Sequence, residues 1–279
     1  MGYQDICASG GVAVITGSAD GIGLAVADRL AADGLQVVLA DLDDAALRRA
    51  AERIRANTPD AQVVTCETDV TREEQVRALA DLAFGLGPVV FMMNNAGIGR
   101  RSSTLAVDDS WAQMMDVNFF GAVRGVDAFV PKMVTQNLPA MIVNTGSKQG
   151  ITTPPGNPGY NCTKAALKVL TEQLSHELRE AGAPISVHLL VPGFTYTGMI
   201  RSFLPEKPPA AWTPEQVAGF LVERLEQGDF YILCPDNDVS EEIDRRRVAW
   251  AAGDIIENRP ALSRWHPDFA DAFDKYEKG

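Results

Sequence analysis

The sequence predicts an α/β fold: a doubly wound, seven-stranded parallel sheet with helices on both faces. Three observations carry that expectation. Short β-rich runs alternate with amphipathic helical patterns along the chain. Several of those runs are apolar on both faces, as buried parallel strands are. At 279 residues the chain is long enough to bury a sizeable core within one such domain.

In order, the predicted strands are "VAVIT" (12–16), "QVVLA" (36–40), "AQVVTCE" (61–67), "VVFMM" (89–93), "AMIVNT" (140–145), "ISVHLLV" (185–191) and "FYILC" (230–234). Helical patterns lie between them at 23–33, 43–56, 73–84, 108–136 and 160–181. A further helix at about 214–226 opens with Thr213 as N-cap, Pro214 in the first turn and Gln216 completing a capping box. With no low-complexity linker and no repeat, residues 1–235 read as one domain. Residues 236–279 then form an extension that packs on the body or on a neighbouring subunit. Within it, "SEEIDRRRVAWAAGD" (240–254) reads as a charged helix with Ile243, Val248 and Trp250 to bury. Trp265, Phe269 and Phe273 follow in a segment too polar to fold alone.

Hydrophobic residues make up 46% and charged residues 22%, an ordinary globular balance. A net charge of −12 argues against a nucleic-acid partner, because such affinity comes from clustered Lys and Arg. The one basic run, Arg245–Arg247, follows acidic residues and reads as a solvated helix face. No apolar run approaches a membrane span, so no membrane partner is expected. Cys7, Cys66, Cys162 and Cys234 are far apart with no signal peptide before them, as expected of reduced thiols in a cytoplasmic protein. His176, His188 and His266 lie apart from one another and from cysteines, so no metal site is expected.

Directly after the first strand comes "TGSADGIG" (16–23), and a helix follows. Gly17, Gly21 and Gly23 allow a sharp turn, a close approach to a pyrophosphate and tight packing of helix on strand. The helix N-terminus then offers N–H groups and a positive dipole to the phosphates. A lone glycine triplet also marks ordinary turns, but the strand–loop–helix context is that of a Rossmann-type dinucleotide site. Asp41 ends the second strand, twenty residues after Gly21, where a carboxylate accepts hydrogen bonds from a ribose diol. It is equally placed to serve as a strand-end turn residue. A carboxylate there would repel a 2′-phosphate, and Asp20 adds negative charge in the loop itself. Together they predict NAD as cofactor.

These residues resemble the short-chain dehydrogenase/reductase family over roughly 10–235. The family's TGxxxGxG is matched by Thr16, Gly17, Gly21 and Gly23, and its acidic residue after the third strand by Asp69 in "ETDVT". Its NNAG stands as Asn94, Asn95, Ala96 and Gly97, and its active-site asparagine matches Asn118 in "DVNFFGAV". Its serine after the fifth strand matches Ser147, thirteen residues before a YxxxK at Tyr160 and Lys164. Its PG turn matches Pro192 and Gly193, with Thr195 and Thr197 near enough to hold the nicotinamide carboxamide and a phosphate. The resemblance also implies cofactor contacts from Ser18 and Ile22 in the glycine loop, and from Leu42 and Val70 beside the acidic residues. Members usually form dimers or tetramers through the helices here at 108–136 and 160–181, so a homodimer or homotetramer is expected. The tail departs from the simplest members; a tail packed across a subunit interface near the pocket is expected.

Tyr160 and Lys164 stand at i and i+4 on one helix face, beside the core stripe Leu167, Leu170, Leu174 and Leu178. A free phenol ionises near pH 10 and is a poor catalyst at neutral pH, whereas a neighbouring ammonium lowers that value. By the resemblance, Tyr160 exchanges the proton with the alcohol or carbonyl oxygen and Lys164 also holds the nicotinamide ribose. Ser147 orients the substrate oxygen, and Asn118 holds a water that links Lys164 to solvent.

The segments 97–107, 148–159 and 194–212 should surround the reacting carbon. The last is long for a connection and reads as a lid. Phe194, Tyr196, Met199, Ile200, Phe203 and Leu204 either line the pocket or only pack the lid on the body, and Gln149 and Pro155 face it from the other side. The expected function is a hydride transfer between NAD(H) and an apolar or aromatic secondary alcohol or ketone. The alternatives are a 3-oxoacyl-(acyl-carrier-protein) reductase, a non-catalytic dinucleotide-binding protein and a sugar-nucleotide epimerase or dehydratase. The acidic charge opposes the first, the intact Ser–Tyr–Lys set the second, and the absence of a separate substrate domain the third.

Overall fold

A computed structural model describes residues 2–8 and 10–278. The strands are β1 (Val12–Thr16), β2 (Gln36–Asp41), β3 (Val63–Glu67), β4 (Val89–Asn94), β5 (Ala140–Thr145), β6 (Ile185–Val191) and β7 (Tyr231–Leu233). They form one parallel sheet in the order β3-β2-β1-β4-β5-β6-β7. The order reverses between β1 and β4, so a crevice opens at their carboxyl ends.

Helices α1 (Tyr3–Ala8), α2 (Gly21–Ala32), α3 (Asp44–Asn57) and α4 (Glu73–Leu86) come from the first half. Alternation within β1 explains the two layers around the sheet. Ala13 and Ile15 join a core with Leu30 of α2 and Leu47 of α3. Val12 and Val14 join the opposite core with Leu79 of α4. The sequence pattern did not anticipate α1, whose six residues are too few for a periodic signal. It is held by a hydrogen bond from the Tyr3 hydroxyl to Asp33 at 2.6 Å.

The pattern at 108–136 is broken in the middle. Helix α5 (Asp109–Met115) passes through a π turn at 116–120 into α6 (Gly121–Gln136). Such a turn redirects side chains and is frequent at functional sites; it carries the buried Asn118. After β5 come a short α7 (Gln149–Thr152) and the long α8 (Pro158–Glu180). Helix α8 begins two residues before the expected 160, because the Asn157 side chain accepts from the Tyr160 amide and Pro158 fits the first turn.

Beyond β6 lie α9 (Gly198–Arg201) and α10 (Pro214–Gln227), the latter with the expected capping box. The tail forms α11 (Glu241–Ile256), two single 3₁₀ turns and α12 (Ala270–Lys278). Trp250 and Phe273 bury their rings edge to face at 5.3 Å, and the indole N–H donates to Ser263 at 2.7 Å. Ile243 and Val248 are only half-buried, and Trp265 is exposed.

An ion pair ties the tail to the body. Lys148, just before α7, meets Asp244 of α11 at 2.5 Å and Asp236 at 3.5 Å. The Asp244 side chain is 4% exposed and that of Lys148 17%, so the pair is largely shielded from water. Removing the acid leaves a mostly buried ammonium with one more distant carboxylate. Asp244→Ala should therefore lose about 3 kcal/mol in urea unfolding, and an unchanged midpoint would contradict the tie.

Candidate active site

At the carboxyl ends of β1, β2, β4, β5 and β6 lies a cavity of about 770 Å³. Its floor is the glycine loop after β1. Gly17 has φ +65°, and a side chain there would come within 2.7 Å of the Ala96 backbone. A side chain at Gly23 would come within 2.4 Å of the Gly17 carbonyl. Only glycine permits either approach. Asn95 buckles the loop in place: its Nδ2 donates to the carbonyls of Thr16 and Gly17 at 3.1 and 3.0 Å, and its Oδ1 accepts from Thr145 at 3.1 Å.

Asp20 stands at the N-cap of α2 but makes no side-chain cap hydrogen bond. Its carboxylate pairs instead with Arg201 of α9. The first amides of α2 are thus left without a side-chain cap, facing the cavity that Gly21 and Ile22 line. At the far end Asp41 accepts from the amides of Ala19 and Leu42 at 3.1 and 2.7 Å. Asp69 is held by Thr71 through backbone and hydroxyl, at 2.9 and 2.7 Å. Leu42 and Val70 complete that end.

At the opposite end Ser147 follows β5 and lines the cavity with Tyr160, whose ionised form it favours. Lys164, one turn along α8, is 4% exposed, and its ammonium donates to the Thr145 carbonyl at 2.7 Å. The ammonium lies 5.7 Å from the Tyr160 ring centre. Burial dominates both groups. It pushes the Tyr160 phenol up to about 12, against the opposing hydrogen bond from Ser147, and brings the Lys164 amine down to about 8. The neighbouring ammonium expected to lower the phenol is thus outweighed by desolvation in this site as it stands.

A family model described as short chain dehydrogenase matches residues 11–208. The chain belongs to the short-chain dehydrogenase/reductase family. This dehydrogenase/reductase is 34% identical over 229 residues to the 1-deoxy-11-beta-hydroxypentalenate dehydrogenase of Streptomyces exfoliatus, covering 79% of the chain and 82% of the relative. It is 37% identical over 193 residues to the galactitol 2-dehydrogenase (L-tagatose-forming) of Cereibacter sphaeroides, covering 68% and 73%. A short chain dehydrogenase/reductase from Burkholderia phymatum, solved in complex with NAD, superposes with a TM-score of 0.80 at 34% identity, over 90% of this chain and 95% of that one. The family's chemistry is nicotinamide-dependent oxidoreduction, and the seven-stranded parallel sheet is its fold.

Most of the residues singled out in the sequence line the cavity of this dehydrogenase/reductase. They include Gly97, Pro192, Gly193, Thr195 and Thr197, and also Gln149, Phe194 and Met199. Several, among them Thr16, Asn94 and Leu204, do not line it. Ser18 is fully buried behind the loop, with its Oγ accepting from Ala40 at 2.9 Å, and Gly23 packs under Gly17. The Asn118 amide is spent on a clamp. It exchanges hydrogen bonds with the Ile98 backbone at 2.7 and 3.0 Å and donates to Thr163 at 3.2 Å. Pro155 is exposed outside the cavity. Tyr196 turns its hydroxyl to the carbonyls of Leu204 and Pro205, so it braces the lid rather than lining the pocket.

Sequence reasoning missed Arg100, Arg101 and Lys148, all of which line the cavity. Lys148 gave no signal, because its partners lie about ninety residues away in the tail. The two arginines follow NNAG closely, and their position was the only available clue. The lid shuts against the loop beneath it: Thr197 lies 3.2 Å from where a side chain on Gly21 would begin. Among the described residues no helix is long and apolar enough to cross a membrane, and no group of three or more His, Cys, Asp or Glu could hold a metal.

Proposed function

We propose that this chain is an NAD-dependent alcohol dehydrogenase or ketone reductase, with Tyr160 as the acid–base and a small secondary alcohol or ketone as substrate. The observation that carries the reading is that Ser147, Tyr160 and Lys164 line the same cavity as the glycine loop. The cradle suits a dinucleotide. Gly17 has no room for a side chain against the Ala96 backbone, so the loop lies close under the cavity, and the uncapped amides of α2 suit a pyrophosphate. Asp41 and Asp69 would hold the adenosine, while Thr195 and Thr197 would meet the nicotinamide half. Bound there, the nicotinamide supplies a hydride donor or acceptor.

Ser147 then orients the substrate oxygen, and Tyr160 takes its proton in oxidation or returns it in reduction. The phenol at about 12 needs positive charge to ionise near neutrality. Lys164 at about 8 remains largely protonated at neutral pH and supplies part of it. Asn118 fixes Ile98 and so the wall beside Lys164. The names of the relatives support a hydroxyl substrate, a hydroxypentalenate in one and galactitol in the other. The NAD complex of the Burkholderia phymatum protein supports the cofactor.

Preference for NAD rests mainly on Asp41, because Asp20 is neutralised by Arg201. NADH should bind at least about tenfold more tightly than NADPH, since like charges brought together cost several kcal/mol. Asp41→Ala should narrow that gap in a fluorescence titration, and an equal or tighter NADPH affinity in the unaltered protein would overturn the assignment. Tyr160→Phe should bind NADH as before but lose about 10²- to 10⁴-fold in kcat. Near-normal turnover by that variant would end the acid–base assignment.

A further inference from the structure

Most cations of this acidic chain are already matched. Among the described residues only three arginines, Arg49, Arg100 and Arg101, have guanidinium groups with no hydrogen bond, ion pair or ring contact. Two of the three are adjacent in sequence and line the same cavity as Ser147 and Tyr160. Arg201, next to the cavity-lining Ile200, is by contrast neutralised by Asp20.

The segment that carries the pair is not a loose loop. The Ile98 backbone is clamped by Asn118, and the Arg100 amide donates to the Met114 sulfur at 3.4 Å. The Arg101 carbonyl accepts from Ser110 at 3.1 Å. Ser102 donates to Asn157 at 2.6 Å and accepts from the Gly159 amide at 2.9 Å, one residue before Tyr160. A side chain on Gly99 would begin 3.0 Å from Met199 of the lid. The two arginines therefore sit between the lid and the start of the helix that carries Tyr160. The carboxylates Asp41 and Asp69 lie at the other end of the cavity, past the glycine loop, and leave these charges unanswered.

Both arginines are exposed at the rim of the cavity and make no side-chain hydrogen bond or ion pair among the described residues, so both guanidinium groups are free to meet a ligand. An anion placed between them accepts charge-assisted hydrogen bonds from planar, pre-formed donors. Phe194, Met199, Ile200 and Phe203 make the adjoining wall apolar. Resting on the oxidoreductase reading above, we propose that Arg100 and Arg101 form a carboxylate-recognition site. The substrate is then a hydroxy or keto acid whose apolar body lies against the lid and whose carboxylate is held at the cavity mouth.

The test compares matched probes: 3-hydroxycyclohexanecarboxylate and its methyl ester, in NAD reduction by the full chain and by Arg100→Gln/Arg101→Gln. The wild type should favour the acid in kcat/KM, through KM, and that preference should shrink as salt is raised. In the double variant the acid-over-ester ratio should fall by about ten- to a hundredfold, the usual loss for a charged hydrogen bond. Equal use of acid and ester by both proteins would overturn the carboxylate site while leaving the dehydrogenase reading intact. If neither alcohol is oxidised by the wild type, that reading fails for this substrate class. The site is then decided by calorimetric titration of cyclohexanecarboxylate into the NADH-saturated proteins: binding by the wild type that the variant loses supports it, and equal or absent binding in both overturns it.

Discussion

A buried ammonium organises this molecule. Lys164 is nearly solvent-free, and its ammonium donates to the carbonyl that ends β5. That bond fixes α8 against the sheet at the level where Ser147 leaves β5, so it sets the phenol of Tyr160 beside the serine. Water would solvate the ammonium far better than a single carbonyl does, and burial accordingly drives the amine down to about 8. The cavity in front of it is large enough for a ligand.

The same economy of contacts governs the cofactor end. Asn95 links β4, the glycine loop and Thr145 in a single side chain, so the floor of the cleft and the Lys164 anchor share one residue of backbone. Behind it, Asn94 donates to Asn144 at 2.8 Å and Asn144 to Thr171 at 3.0 Å, a buried chain that reaches α8. Satisfied buried networks of this kind are rigid. The lid, in contrast, touches the loop through Thr197 and the exposed Asp20–Arg201 pair, which salt and solvent weaken. Rigid floor and lightly latched lid are what a cleft needs to admit a ligand and then exclude water.

The strands were legible almost residue by residue, because doubly buried β runs bounded by glycine have few other interpretations. The i,i+4 spacing put Tyr160 and Lys164 on one helix face, while Ser147 was marked only by the resemblance to the family's motifs. Contacts that depend on the tertiary path were not. Asp244 and Lys148 meet only because α11 returns to α7, and nothing in a helical pattern marks an acid as buried. Asn118 was placed in the site, but the π turn points its amide at Ile98 and Thr163. The phenol's elevation followed from burial, a property that i,i+4 spacing does not report.

The central claim is that positive charge gathered around Tyr160 offsets the burial that suppresses its ionisation. The direct measurement is the pH dependence of alcohol oxidation at saturating NAD, in the unaltered protein and in Lys164→Gln, with folding checked by circular dichroism. The account predicts an acidic limb well below about 12, displaced to higher pH in the variant by about one unit or more. Superimposable limbs in the two proteins would contradict it.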